Sequence, residues 1–199
     1  MALISQSSEW LMRVITDGLD FSKIEAGEFL LVSERVDLQK TIHEICELYS
    51  GGSEHKQVTF IPDISDDLPD YVMGDQLRLI QVLGNLLNNA FKFTQRGYVS
   101  FGAYLSGETE RGISILFVVE DSGRGIRKEE QQTVFEPFKQ AGHKSGKHSG
   151  TGLGLAIADR LVKLMGGHID LKSTEGKGSR FSFSLTFPRY IGSAEEHSG

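Results

Sequence analysis

The stretch LGNLLNNAFKFT, residues 83–94, carries three asparagines among leucines and phenylalanines. At about 100° per residue, an α-helix here places six polar side chains within about 100° of one another: Arg78, Gln81, Asn85, Asn88, Asn89 and Lys92. Solvated helix faces are usually rich in Glu and Lys, whereas this one is mostly carboxamide. Amide oxygens suit Mg²⁺, amide NH₂ groups donate to phosphate, and a lysine meets phosphate charge. The stripe therefore indicates either a site for a polyphosphate and its metal or an Asn-rich polar face without a ligand.

A second segment, VVEDSGRGI at residues 118–126, combines an acid with glycines. Its apolar half predicts a buried strand that ends at Asp121, and Gly123 and Gly125 follow. Glycines let the chain turn sharply and let backbone approach a flat ligand. An aspartate at the strand end can accept a hydrogen bond from the amino group of a base. A simple Asp-Ser-Gly turn explains the same residues.

Two further glycine-rich segments follow. In HSGTGLGLAI, residues 148–157, alternate glycines lead directly into a predicted helix, whose N-terminal N–H groups form an anion site. The segment is neither a Walker A loop nor a good dinucleotide fingerprint. Just upstream, a run with three lysines suits a mobile cationic flap over a polyphosphate or a plain surface loop: Lys139, Lys144 and Lys147. In STEGKGSRFSF, residues 173–183, the glycines form a hairpin turn or place Ser179 beside Asp121.

The hydrophobic pattern predicts the elements that position these residues. It predicts helices over four ranges: 4–25, 37–48, 75–94 and 153–165. It predicts strands over six ranges: 29–36, 57–64, 97–105, 113–121, 168–174 and 179–187. The mixture predicts an α+β fold, a two-layer α/β sandwich whose helices cover one face of a mixed, mostly antiparallel sheet, plus an N-terminal helix.

Composition excludes several classes of function. The chain has 199 residues and a net charge of −6, which argues against general nucleic-acid binding. Cys46 is the only cysteine, so no internal disulfide forms and a reducing compartment is expected. It lies among apolar helical positions and is interpreted as a packing residue. No apolar run reaches transmembrane length. We expect a cytoplasmic domain, with membrane anchoring of a full-length protein left open.

Five motifs together resemble the ATP-binding domain of sensor histidine kinases, in the wider group with type II topoisomerases, heat-shock chaperones and mismatch-repair ATPases. QVLGNLLNNAFKFT resembles the N box, DSGRGI the first glycine box, VFEPFKQ the F box, GTGLGLAI the second glycine box and GKGSRF the third. DFSKIEAG resembles the end of the second helix of the dimerisation hairpin. The resemblance implies a hairpin remnant at 1–27, an ATP-binding catalytic domain at 28–190 and a flexible tail at 191–199.

The resemblance implies a role for each matching residue. The adenine pocket would be formed by four residues, the last acting through water: Asp121, Gly123, Gly125 and Ser179. Mg²⁺ and the phosphates would be bound by Asn85 and Asn89, with Lys92 on phosphate. The triphosphate would meet the second glycine box: Gly150, Thr151, Gly152, Leu153 and Gly154. The lid would be anchored by two aromatic residues and supply two cations: Phe135, Phe138, Lys144 and Lys147. Gln81 would orient reactants, and Asn88 receives no ligand role.

The implied reaction is transfer of the ATP γ-phosphoryl group to a histidine imidazole. The acceptor helix, with its H-E-x-R-T-P-like motif, is absent from these residues, and His43 has the wrong context. We therefore expect ATP binding without autophosphorylation of this chain alone. Expected partners are an acceptor-histidine hairpin, from a missing segment or another chain, and a response-regulator receiver domain. A full-length protein is expected to be a homodimer, whereas this fragment can be monomeric. Two alternatives stay open: a non-enzymatic nucleotide-binding regulatory module and a coupled ATPase.

Overall fold

The computed structural model describes residues 15–16, 18–51, 57–110, 112–139 and 151–190. Its helices are residues 18–25 (α1), Leu38–Ser50 (α2), Gln76–Phe93 (α3) and Gly154–Leu164 (α4). Its strands are Glu34–Asp37 (β1), Gln57–Ile64 (β2), Tyr71–Gly74 (β3), Arg96–Thr109 (β4), Gly112–Asp121 (β5), Ile169–Thr174 (β6) and Gly178–Phe187 (β7). None of the described helices is both long enough and apolar enough to cross a membrane.

Five strands form one sheet in the order β2-β4-β5-β7-β6. β2 and β4 are parallel, whereas the other neighbouring pairs are antiparallel. Inward-facing side chains such as Phe117 and Phe183 are buried in one cluster with the leucines of α3. Outward-facing ones such as Lys172 and Arg180 are exposed. The helices therefore cover one face, and the predicted two-layer α+β fold is confirmed.

The central strand β5 explains how the sheet positions Asp121. Its sequence GISILFVVED is largely apolar and mostly buried, and β4 and β7 pair with its two edges. Phe117 of β5 stacks on Phe183 of β7, with ring centroids 5.2 Å apart. The register pairs Asp121 with Ser179 across the end of these strands. The acid and the serine predicted to share a pocket are thus fixed beside each other by backbone pairing.

Helix caps match the predicted starts closely. Asp37 caps α2 by accepting a hydrogen bond from the backbone N–H of Lys40 at 3.0 Å. Asp75 caps α3 in the same way, with the N–H of Arg78 at 3.0 Å. Thr94 is the C-cap of α3, so the helix predicted over 75–94 is present with both ends in place. Cys46, on α2, is half-buried and packs against the core as expected.

The segment 29–36 is not a full strand as predicted. Only its last residues belong to β1, which pairs with β3, while residues 28–33 have no regular secondary structure. Leu30 is 86% exposed, so the apolar run does not form a buried strand. The short strand β3 was not predicted. Of the helix predicted over 4–25, residues 15–16 and 18–25 are helical, and residues 1–14 lie outside the described part.

Candidate functional site

Helix α3 presents its two predicted faces. Six side chains on one face are buried against the sheet: Leu79, Val82, Leu83, Leu86, Leu87 and Ala90. The carboxamides lie on the other face, and their surroundings differ. Asn88 is exposed and accepts a hydrogen bond from the Tyr49 hydroxyl at 3.0 Å. Asn89 donates from Nδ2 to the backbone carbonyl of Asn85 at 2.9 Å. The leucine face therefore holds the helix, and on the other face Asn85 lies beside Gly154 of the second glycine box.

Asn85 lies against the start of α4. Its Nδ2 is buried and has no hydrogen-bond partner among the described residues. A Cβ added at Gly154, the first residue of α4, would lie 3.3 Å from Asn85 Oδ1. The N-terminus of α4 has no side-chain cap, because Leu153 occupies the cap position. A buried amide without a partner beside uncapped N–H groups fits an anionic ligand such as a triphosphate.

The second glycine box and the F box meet at this end of the site. The N–H of Leu153 donates to Thr151 Oγ1 at 3.2 Å, and the N–H of Phe138 donates to the carbonyl of Gly152 at 3.0 Å. Phe135 packs edge-on against Phe181, with centroids 6.3 Å apart. The Phe138 side chain is instead 72% exposed on a backbone with φ of 63°. The structure thus packs one of the two predicted lid anchors against the core.

Two cations lie near the C-terminal end of α3. The Lys92 ammonium is 5.0 Å from the centroid of the Phe93 ring, and the Arg124 guanidinium is 4.3 Å from it. Burial lowers the pKa of Lys92, and the positive charge of Arg124 lowers it further. A neighbouring anion would favour the charged lysine, so this pair fits the phosphate contact predicted for Lys92.

The acid Asp121 is buried in a network of hydrogen bonds. Its Oδ1 accepts the backbone N–H of Gly123 at 2.8 Å. Burial raises the pKa of the Asp121 carboxyl, while hydrogen bonds from the backbone of Gly123 and Ser179 lower it, as does the nearby Thr94 hydroxyl. The hydroxyls of Ser173 and Ser179 are 3.0 Å apart. A buried acceptor with fixed donors on one side is suited to the amino group of a flat base.

The first and third glycine boxes pack directly against each other. The N–H of Gly176 donates to the carbonyl of Arg124 at 2.7 Å, and the N–H of Ile126 donates to Ser173 Oγ at 2.8 Å. A cavity of about 550 Å³ opens beside them, with Asp121 and Ser179 in its wall. Of the predicted base-pocket residues, Asp121 and Ser179 lie in the wall of this cavity, which also includes the outward-facing Lys172 and Arg180, whereas Gly123 and Gly125 do not line it.

Gln81 lies at the opposite end of the stripe and has partners that the sequence did not predict. Its Oε1 accepts from the Arg78 guanidinium at 2.7 Å, and its Nε2 donates to Asp20 of α1 at 3.1 Å. Arg78 and Asp20 also form an ion pair at 2.8 Å, with both side chains mostly buried. Nothing in the sequence pattern links residues 61 positions apart, so this contact had no signal.

Three predicted residues lie outside the described part of the chain: Lys144, Lys147 and Gly150. The sequence interpretation also left three site neighbours without roles: Thr94, Gln131 and Ser173. Gln131 donates from Nε2 to the carbonyls of Ile126 and Ser173 at 2.9 and 3.0 Å. Ser173 lies in the segment 173–183 and Thr94 in the stretch 83–94, but a single hydroxyl residue adds nothing to a hydrophobic periodicity and so was not singled out.

Fold and site together define a nucleotide-binding α+β domain. The sequence profile of a family described as histidine kinase-, DNA gyrase B- and HSP90-like ATPase matches residues 74–189. This match spans more than half of the chain, and the chain belongs to that family. It confirms the predicted catalytic ATP-binding domain of a sensor histidine kinase.

Individual relatives agree with the family. The chain is 36% identical to the sensor histidine kinase GacS of Pseudomonas protegens over 100% of its length. It is 38% identical to the signal transduction histidine-protein kinase BarA of Escherichia coli over 92% of its length. It spans about a fifth of these relatives, 22% and 20%. The structure of full-length ShkA in complex with AMPPNP superposes with a TM-score of 0.79 at 30% identity, covering 96% of this chain and 39% of ShkA.

Proposed function

We propose that this domain binds ATP together with Mg²⁺ and presents the γ-phosphoryl group to a histidine on a dimerisation helix outside these residues. The observation that supports this most directly is the Asn85 side chain, whose buried Nδ2 has no partner among the described residues and whose Oδ1 faces Gly154 at the uncapped start of α4. A polar group left in this state needs a ligand or water to complete its hydrogen bonds.

The phosphate end of the site fits Mg²⁺ by the chemistry of its donors. Carboxamide oxygens are hard, neutral ligands, and Asn85 and Asn89 would hold the ion with them. When bound, Mg²⁺ would supply positive charge that neutralises the phosphate oxygens. Lys92 adds a cation on the same face, and the N–H groups at the start of α4 donate to the triphosphate. The lid lysines Lys144 and Lys147 would add charge on closure.

The base end of the site orients the nucleotide. The Asp121 carboxylate accepts a hydrogen bond from the amino group of adenine, while Gly123 and Gly125 let the backbone approach the ring. Ser179 assists through water. Phosphoryl transfer depends mainly on positioning and charge neutralisation, so fixing the base fixes where the γ-phosphate lies. Gln81 has an amide that cannot take up a proton, so it would orient the reactants once it leaves Asp20 and Arg78.

The partners follow from the missing half of the active site. The nucleophilic histidine would come from an acceptor hairpin, and a response-regulator receiver domain would then take the phosphoryl group. A homodimer of the full-length protein would bring hairpin and catalytic domain together, in the cytoplasm. We do not assign His43 as the acceptor, because it is not part of an H-E-x-R-T-P-like motif; it lies on α2 and pairs with Glu47 at 3.2 Å.

Binding of a non-hydrolysable ATP analogue, with and without Mg²⁺, tests the metal assignment. We expect Asn89→Ala to remove the Mg²⁺-dependent gain in affinity, about tenfold or ~1.4 kcal/mol. Asn88→Ala is the matched control, because it removes only the exposed bond to Tyr49. Equal Mg²⁺ dependence in both variants would refute the assignment.

The same preparations test the transfer step with γ-labelled ATP. Label should appear on a separately added acceptor hairpin and not on this chain. Stable label on this chain alone would contradict the proposed division between the two halves.

A further inference from the structure

Thr94, at the C-terminal end of α3, has an unusual hydroxyl. The residue is 1% exposed, and its backbone N–H donates to the carbonyl of Ala90 at 3.1 Å as the helix cap. Its Oγ1 is buried and makes no hydrogen bond of ordinary geometry to any described residue. Buried hydroxyls almost always have a partner, so this one requires an explanation.

The position of Thr94 places it at the base pocket. A Cβ built on Gly123 would lie 2.5 Å from the carbonyl oxygen of Phe93 and 2.8 Å from Asp121 Oδ1. The peptide that leads into Thr94 and the Asp121 carboxylate therefore flank the same glycine. The Thr94 hydroxyl is near enough to that carboxyl to lower its pKa against the effect of burial.

Three neighbouring serine hydroxyls are already engaged in hydrogen bonds. Ser173 and Ser179 bond each other, and Ser122 bonds the backbone of Tyr98. Within the described residues, two buried side-chain atoms have no partner, Asn85 Nδ2 and Thr94 Oγ1. Both belong to α3 and its cap, one at the phosphate end and one at the base end of the site. Because both atoms lie along α3, one at each end of the site, a bound nucleotide would complete the hydrogen bonding of both.

We propose that Thr94 is a second residue that recognises the adenine, its hydroxyl acting with Asp121 to bind the amino-bearing edge of the base directly or through one water. A hydroxyl both donates and accepts, so it can bond the carboxylate and the base or water at once. Helix α3 then contacts both ends of the nucleotide. This inference rests on the proposed nucleotide binding and goes beyond it by naming a specificity residue.

The test compares an ATP analogue with the same triphosphate of unsubstituted purine, which lacks the 6-amino group. We expect Thr94→Val to weaken binding of the adenine ligand about tenfold, while binding of the purine ligand changes little. Thr94→Ser keeps the hydroxyl and should restore the preference for adenine. A residue with only a structural role would lower both affinities by the same factor.

Three outcomes decide the matter. A lower preference for adenine in Thr94→Val, restored in Thr94→Ser, supports the inference. An unchanged ratio of the two affinities overturns it while leaving nucleotide binding intact. Absence of adenine binding by the unaltered protein overturns the proposed function as well. Thermal unfolding without nucleotide checks that the variants fold, and Thr94→Ala replaces Thr94→Val in the comparison if that variant does not.

Discussion

Replacing Gly125 by alanine should disrupt the contact between the first and third glycine boxes. Gly125 has φ of 66°, a conformation that disfavours any residue with a Cβ. An added Cβ would lie 2.0 Å from the carbonyl oxygen of Thr174. Because ordinary contact begins at 3.4 Å, the two segments would have to separate by about 1.4 Å.

The expected loss of stability follows from the hydrogen bonds that this separation breaks. The bonds from Gly176 N–H to Arg124 and from Ile126 N–H to Ser173 cross this contact at 2.7 and 2.8 Å. Each contributes about 1 kcal/mol. The left-handed alanine adds about 1–2 kcal/mol. We therefore expect Gly125→Ala to lower the free energy of unfolding by about 3–4 kcal/mol, a large part of the stability of a domain of this size.

Gly176→Ala is the matched control for this prediction. Gly176 also has a positive φ, 77°, but an added Cβ meets nothing within 4 Å. This variant should lose only the conformational contribution, about 1–2 kcal/mol. Urea unfolding of both variants measures the difference, and nucleotide titration should show weaker binding for Gly125→Ala alone. Equal losses of stability, within about 0.5 kcal/mol, would show that close packing of the glycine boxes is not what requires Gly125.

Two further predictions concern Asp121 and Arg78. Because burial raises the pKa of Asp121 above 3.8, its contribution to stability is present below that pH and is lost as pH rises through the folded-state pKa. Asp121→Asn should therefore gain stability relative to the unaltered protein as pH rises above about 4 in thermal unfolding, yet bind the ATP analogue at least about tenfold more weakly; parallel pH profiles would contradict this. Arg78→Ala should lower the free energy of unfolding by about 1–2 kcal/mol, because Arg78 bonds Asp20 and Gln81. Arg160→Ala, which removes only the exposed pair with Glu25, should cost under about 0.5 kcal/mol, and equal losses in urea unfolding would show that α1 is not held through Arg78.

The helices were predictable because their signals are local. Asp75 caps α3 through its own side chain, and the leucine spacing fixes the buried face within eighteen residues. The strand predicted over 29–36 failed because apolar composition alone does not show burial. Leu30 is exposed, and β1 exists only through pairing with β3, 36 residues away in the register of Val36 with Val72.

The residues of the site likewise fall into those that sequence motifs predict and those that only the folded chain reveals. Asp121, Gly125 and Ser179 were predictable as a group because each lies at the end of a strand or in a glycine turn with a recognisable motif. The ion pair of Asp20 with Arg78 joins residues 58 positions apart and needs the folded chain. Thr94 is the last residue of the Asn-rich stretch 83–94, but only its burial and the missing partner of its hydroxyl distinguish it from an ordinary helix cap.

Three asparagines are tolerated in α3 because they do not share one environment. Asparagine costs a helix about 0.5 kcal/mol relative to alanine, so the three cost roughly 1.5 kcal/mol. Five large apolar side chains on the opposite face each contribute about 1.5–3 kcal/mol on burial, which far exceeds that cost. Asn88 and Asn89 recover part of it through bonds to Tyr49 and to the backbone of Asn85. The buried Nδ2 of Asn85 has no partner among the described residues, so packing of the folded domain does not explain this side chain, and the phosphate chain of the proposed nucleotide would complete its hydrogen bonding.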